Sequence, residues 1–131
     1  MMADRALIIV AHGSRKNSSN EEVKALGEKV KSIQDKHYTL VMTSFLEFVT
    51  PSLEESILSC IDKGVSEIVI LPYFLASGNH VTRDIPEVVQ KIQASHPQVK
   101  ITLKEHLGSA SGMVKLLSDM AAVQTKNSKT Q

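Results

Sequence analysis

Ala6-Leu7-Ile8-Ile9-Val10-Ala11-His12-Gly13-Ser14-Arg15 is the stretch around which the chain is organised. The unbroken apolar run from Ala6 to Val10 predicts a strand buried on both faces, as in a parallel sheet covered by helices. The run then breaks into His12-Gly13-Ser14. An imidazole that can carry a proton or bind a metal therefore sits where a buried strand meets its loop, and Gly13 lets a ligand approach the backbone closely. The stretch from Ile68 to His80 repeats the plan, with Ile68-Val69-Ile70-Leu71 as strand and a loop ending in Gly78-Asn79-His80. The two strands are expected side by side, with both histidines facing one ligand.

Outward from these stretches the chain alternates strand and helix. Ser19-Asn20-Glu21-Glu22 reads as a capping box opening the first helix, whose stripe is Val23, Leu26, Val30 and Ile33. A second strand follows at about Tyr38 to Ser44. Thr50 and Pro51 are expected as cap and first residue of the next helix, with Leu53, Ile57, Leu58 and Ile61 inside and Gly64 ending it. After the Ile68 strand, Asp84 reads as the cap of a third helix, with Pro86 in its first turn and Ile85, Val88, Val89 and Ile92 on one face. Val99 to Leu103 is a fourth strand. Ser109 or Ser111 opens a last helix with Met113, Leu116, Leu117, Met120 and Ala121 on its inner face. The βαβαβαβα pattern implies parallel pairing through right-handed crossovers. The expected fold is α/β: a three-layer α/β/α sandwich around a four-stranded parallel sheet, flavodoxin-like, with strand order 2-1-3-4. In that order the first and third strands are neighbours, and a ligand site is expected beyond their carboxyl ends, at the switch point.

Composition narrows the function classes. The 131 residues are expected to form a single domain over residues 1–124, with a polar, disordered tail over 125–131. A formal net charge of +1 gives no basic excess for nucleic acid. Cys60 is the sole cysteine, so neither an intrachain disulfide nor a thiolate zinc site is available, and it reads as a buried small hydrophobe. No apolar run approaches the ~18 residues of a membrane span. Met1-Met2-Ala3-Asp4-Arg5 lacks a long apolar signal segment, and a cytoplasmic protein is expected.

His37 and His96 precede strands and fall at the opposite edge of the sheet, where a solvated histidine is the reading. His106 follows the fourth strand, farther from the switch point. A structural histidine is the competing reading for His12 and for His80, and the pair is the stronger signal. Glu47, flanked by Phe45-Leu46 and Phe48-Val49, is either buried against a partner, where it would suit proton transfer, or a solvated acid at a strand end. Walker-type loops, G-x-G-x-x-G and the G-x-S-x-G elbow are all absent. No arginine precedes His12 in the Arg-His-Gly manner of histidine phosphatases, so a phosphate-handling enzyme with His12 as nucleophile is disfavoured. Imidazoles with a carboxylate and no thiol suit a first-row divalent metal.

Taken together, Val10-Ala11-His12-Gly13-Ser14-Arg15, Phe45-Leu46-Glu47-Phe48 ahead of Thr50-Pro51-Ser52-Leu53, and Leu71-Pro72-Tyr73-Phe74-Leu75 leading to Gly78-Asn79-His80-Val81 and Asp84-Ile85-Pro86 resemble the short sirohydrochlorin chelatases, the CbiX-like branch of the class II chelatases. The resemblance runs from about Arg5 to Ala122. It implies insertion of Co²⁺, Fe²⁺ or Ni²⁺ into sirohydrochlorin without ATP or an organic cofactor, on routes to cobalamin, siroheme or coenzyme F430. It implies His12 and His80 as the metal-binding pair and Glu47 as a further catalytic residue. Ser14, Arg15, Lys16, Ser77 and Asn79 would meet the many carboxylates of the substrate, with an ordinary polar loop as the competing reading. Tyr73, Phe74 and Leu75 would pack on the macrocycle or in the core. Because many relatives carry two such domains, a one-domain chain is expected to form a homodimer. The alternative from another class is a metal or tetrapyrrole carrier without catalysis.

Overall fold

Strand β1 (Arg5–Ala11) takes an interior place in the sheet because residues 6–11 are apolar and all are buried. In the computed structural model, which describes residues 4–122, β1 pairs in parallel with β2 (Leu40–Phe45) on one side and β3 (Glu67–Pro72) on the other. β4 (Lys100–Leu103) pairs with β3, giving the expected order β2-β1-β3-β4. The register sets Val10 opposite both Ser44 and Pro72, so the loops after β1, β2 and β3 leave the sheet at one level. The tail expected over 125–131 lies outside the described residues. No helix among the described residues is long and apolar enough to cross a membrane.

Four helices connect or follow the strands: α1 (Asn17–Gln34), α2 (Leu53–Asp62), α3 (Ile85–Ser95) and α4 (Gly112–Ala121). Right-handed crossovers place α2 and α3 on one face and α1 on the other. On the α2/α3 face, Ala6, Ile8, Val10, Ile68 and Ile70 meet Leu53, Ile57, Cys60, Ile85, Val89 and Ile92 in one buried cluster. Burial pushes the Cys60 thiol up to about 11, against a smaller opposing pull from the Lys63 ammonium. Gly64, at φ 86°, ends α2 in the left-handed region, as its place in the sequence predicts.

Three local expectations are corrected. α1 starts at Asn17 with no side-chain cap, so Ser19 and Glu22 form no capping box; the Ser19 amide donates to the Lys16 carbonyl at 3.0 Å. α2 is capped by Ser52 rather than Thr50: the Ser52 hydroxyl accepts from the Glu55 amide (3.1 Å) and the Glu55 carboxylate accepts from the Ser52 amide (2.8 Å). Ser52-x-x-Glu55 is the capping-box spacing, and the cis Thr50-Pro51 bond lies ahead of it. Finally, the expected inner face of α4 is not inside. Leu116, Leu117 and Met120 are exposed, no α4 residue is buried, and the helix meets chiefly a 3₁₀ turn at Leu107–Ser109. The α1 stripe is likewise only partly covered: Gly27 lies against Thr43 of β2 while Ile33 faces solvent.

Candidate metal centre

Two loops from different strands are zipped together by main chain. After β1, the His12 carbonyl accepts from the amides of Leu46 (3.2 Å) and Glu47 (2.9 Å), which follow β2. Gly13 sits at φ +93°, and a Cβ there would overlap the Glu47 carbonyl oxygen, so only glycine lets the two backbones come this close. Glu47 is then turned by a γ-turn: the Val49 amide donates to the Glu47 carbonyl at 2.8 Å around Phe48, a non-glycine residue at φ 67°. That left-handed turn is a rare and strained form. Together these features set the Glu47 carboxylate beside the His12 ring.

His80 comes from the third loop. Residues 73–79 run out from β3, and His80–Asp84 form a single π-helical turn leading directly into α3. π-helical turns concentrate at functional positions. Asp84 does not cap α3; its Oδ2 lies 2.7 Å from His80 Nδ1, one turn away. A carboxylate accepts, so His80 carries its proton on Nδ1 and presents an Nε2 lone pair. His12 Nδ1 likewise lies 2.9 Å from the Gly13 carbonyl, which also only accepts, and this fixes the same tautomer.

Both Nε2 atoms therefore face the same point. They are 3.1 Å apart, and Glu47 Oε2 is 3.3 Å from His12 Nε2 and 3.6 Å from His80 Nε2. Two atoms bonded to one ion at about 2.0–2.1 Å stand about 3.0 Å apart at an octahedral right angle and about 3.4 Å at a tetrahedral one. The observed separations match ligands of a shared ion. Among the described residues these three form a group with metal-ligand spacing. The His12, Glu47 and His80 side chains are 46%, 43% and 35% exposed, so further coordination positions are open to solvent or substrate. Of the two readings open for Glu47, exposure at the strand end is the one found, but with the acid aimed at the histidine pair.

The other expected residues surround this group unequally. Ser14 is spent on the loop: its hydroxyl accepts from the Lys16 amide, and its amide and carbonyl are both held by the buried Asn20 side chain at 2.9 and 2.8 Å. Arg15 is exposed, with its guanidinium 4.9 Å from the Phe48 ring centre, beside the Glu47 turn. Ser77 and Asn79 are exposed on the segment leading into His80. Phe74 is half-buried against the core and stands 6.5 Å from the His80 ring, whereas Tyr73 and Leu75 are exposed. His37, His96 and His106 take no part in the group. Sequence reasoning missed Asn20 as the loop's anchor and Asp84 as the partner of His80; the His-x-x-x-Asp spacing was the available signal for the latter. A cavity of 480 Å³ lies elsewhere, against the α1 face of the sheet, and includes none of His12, Glu47 and His80.

Comparison with known proteins bears on the whole domain. Residues 6–123 match the CbiX family. The chain is 32% identical over 112 residues to the sirohydrochlorin ferrochelatase of Priestia megaterium, covering 86% of this chain and 41% of that protein. It is 37% identical over 91 residues to the sirohydrochlorin cobaltochelatase of Methanocaldococcus jannaschii, covering 70% and 62%. It thus spans less than two thirds of the length of either. The sirohydrochlorin cobaltochelatase of Saccharolobus solfataricus is 33% identical over 108 residues, with 78% of this chain and 81% of that protein covered. Among solved structures, the Bacillus subtilis sirohydrochlorin chelatase SirB in complex with cobalt superposes with a TM-score of 0.73 at 27% identity, over 88% of this chain and 49% of SirB. With its parallel sheet, its paired histidine loops and a family match that runs almost end to end, this chain belongs to the CbiX family.

Proposed function

We propose that this chain inserts a divalent metal ion, Co²⁺, Fe²⁺ or Ni²⁺, into sirohydrochlorin, with the ion as substrate. The observation that carries this reading is the convergence of two imidazole Nε2 atoms and one carboxylate oxygen on a single solvent-accessible point. The relatives named as sirohydrochlorin ferro- and cobaltochelatases supply the tetrapyrrole. Three ligands hold an ion while leaving other positions open, so the ion can pass to pyrrole nitrogens; a closed four-ligand site would retain it.

Insertion releases two pyrrole N–H protons for each dication that enters, so the macrocycle's charge balances. As the ion leaves, each Nε2 recovers its lone pair. One proton goes to such an Nε2 and the other to Glu47 Oε2. His80 is the better placed imidazole, because Asp84 already holds its Nδ1–H and would stabilise the imidazolium. Arg15 and Lys16, on the loop that Ser14 shapes, and Ser77 and Asn79, on the segment leading into His80, would receive the substrate's carboxylates. No nucleotide enters this scheme, in keeping with a sequence that has no phosphate-binding glycine loop. The scheme uses one domain per chain and a homodimer: one domain leaves the three ligands open on one side, and a second copy would enclose the substrate. A cytoplasmic setting fits a sequence whose one cysteine, the buried Cys60, leaves no intrachain disulfide to form.

The test is an anaerobic absorbance assay with sirohydrochlorin and each of the three metals against a no-protein control. Multiple turnovers are expected, and turnover should fall at least about a thousandfold in His12→Ala and in His80→Ala with the fold intact. A spectral change that stops at one equivalent would make the chain a carrier instead. Undiminished turnover in both variants would overturn the assigned ligands.

A further inference from the structure

The chain has three arginines, Arg5, Arg15 and Arg83, and their surroundings differ. Arg5 has both an aromatic face and an acid: its Cζ stands 4.6 Å from the centre of the Tyr38 ring, and its Nε donates to the Glu67 carboxylate at 3.1 Å. Arg83 has an acid, with its Nε 3.5 Å from Asp84 Oδ1. Arg15 has the ring without the acid. Its Cζ stands 4.9 Å from the centre of the Phe48 ring, and among the described residues no carboxylate pairs with it. A guanidinium carries five N–H donors in a planar fork that can meet a carboxylate with two bonds at once. At Arg15 that fork is exposed and unspent on an acid of the chain.

We propose that Phe48 is a positioning residue: its ring holds the Arg15 guanidinium ready for one peripheral carboxylate of the tetrapyrrole, which completes at Arg15 the arrangement that Glu67 completes at Arg5. The inference rests on the proposed function and deepens it, since it singles out one of the polar residues offered to the substrate there and names what aims it. Both partners are fixed from behind. Ser14, just before Arg15, has its amide and carbonyl held by the buried Asn20 side chain at 2.9 and 2.8 Å. The Lys16 amide, just after, donates to the Ser14 hydroxyl at 2.9 Å. Phe48 sits at φ 67° and is 54% exposed. A bulky side chain is an outlier in the left-handed region, and a ring left half in water forgoes much of the gain from burial. The ring lies outside the apolar core cluster and against Arg15.

The main chain sets this pair beside the metal centre. Phe48 follows Glu47, whose Oε2 lies 3.3 Å from His12 Nε2, and Arg15 comes three residues after His12. The His12 carbonyl joins the two loops through the amides of Leu46 and Glu47. One pair of zipped loops therefore carries two of the three ion ligands together with the cation and its ring. A carboxylate bound by Arg15 is placed relative to the ion by the same turn that places Glu47. Because the ring already limits the wandering of a long side chain, less freedom remains to be lost when the carboxylate arrives.

The test reads binding rather than turnover: an anaerobic absorbance titration of the full chain with metal-free sirohydrochlorin, with cobalt affinity and thermal unfolding measured alongside. Arg15→Gln, an exposed substitution that leaves the fold intact, should weaken sirohydrochlorin binding at least about tenfold and flatten its dependence on salt. Phe48→Leu keeps an apolar side chain but loses the aromatic face, and should weaken binding about two- to fivefold, whereas Phe48→Tyr should keep the parent affinity. In an Arg15→Gln background Phe48→Leu should cost nothing further. Cobalt affinity should follow none of these changes. An equal loss from Phe48→Leu with and without Arg15 would overturn the proposal, because the ring would then pack on the tetrapyrrole itself. So would a matching loss of cobalt affinity in Phe48→Leu, since the ring would then act through Glu47, and so would parent affinity in Arg15→Gln. A parent chain that binds no sirohydrochlorin is the separate result that ends the proposed function, and this inference with it.

Discussion

His12 and His80 present the same nitrogen to the same point, but the chain holds them by different means. His12 rides on a short loop clamped by main chain: its carbonyl takes two amides from the loop after β2, and its ring donates to the neighbouring Gly13 carbonyl. His80 ends a longer loop, and its ring is oriented by a side chain, the Asp84 carboxylate one turn ahead. A ligand fixed by backbone is indifferent to most substitutions nearby and vulnerable at the one position where backbones touch. A ligand fixed by a carboxylate can be loosened without disturbing the fold.

The contrast is broken most severely at Gly13. Gly13→Ala places a methyl on the Glu47 carbonyl and demands a left-handed conformation from alanine, so His12 and Glu47 must separate. We expect stability to fall by about 2–4 kcal/mol and cobalt affinity by at least about a hundredfold, read by thermal unfolding and by metal titration. Asp84→Ala should act on the metal alone. Loss of an imidazole's orienting partner costs about ten- to a hundredfold in metal affinity or activity. Unfolding temperature should move little, and the nitrogen-15 signals of the His80 ring should report loss of the single Nδ1–H tautomer. A large drop in stability with no change in tautomer would make Asp84 a structural residue.

The smallest effect lies away from both loops and serves as a reference for them. The buried Cys60 thiol is held protonated up to about 11, above its unfolded value of 9.0. The folded state therefore keeps a proton that the unfolded chain gives up, so this stabilisation is whole below pH 9 and is lost as pH rises from about 9 to about 11. Alkaline unfolding curves should show a decline of a few degrees in that window, lessened in Cys60→Ala after allowance for its cavity.

The alternation of apolar runs and helical stripes was enough to read parallel strands joined by helices, and the flavodoxin-like order 2-1-3-4 assumed for them, which is the order found, made neighbours of the strands that lead to His12 and His80. Polar residues with two uses were harder. Asp84 has the right place for a helix cap, but the π-helical turn carries it round to His80. Ser19 has a capping-box partner in Glu22, yet Asn20 turns back to grip Ser14, and the helix begins earlier. For α4 the pattern of Met113, Leu116, Leu117 and Met120 correctly marks an apolar face. Periodicity states that a face is apolar; it does not state whether the fold covers it.

The most direct test is X-ray absorption at the cobalt edge on Co²⁺-loaded protein, beside the His12→Ala/His80→Ala double variant. One ion per chain with two imidazole nitrogens and one carboxylate oxygen at about 2.1 Å in the parent, and loss of the imidazole scattering in the variant, is the predicted result. Imidazole scattering that survives in the double variant would contradict the account, since the ion would then be held by other histidines.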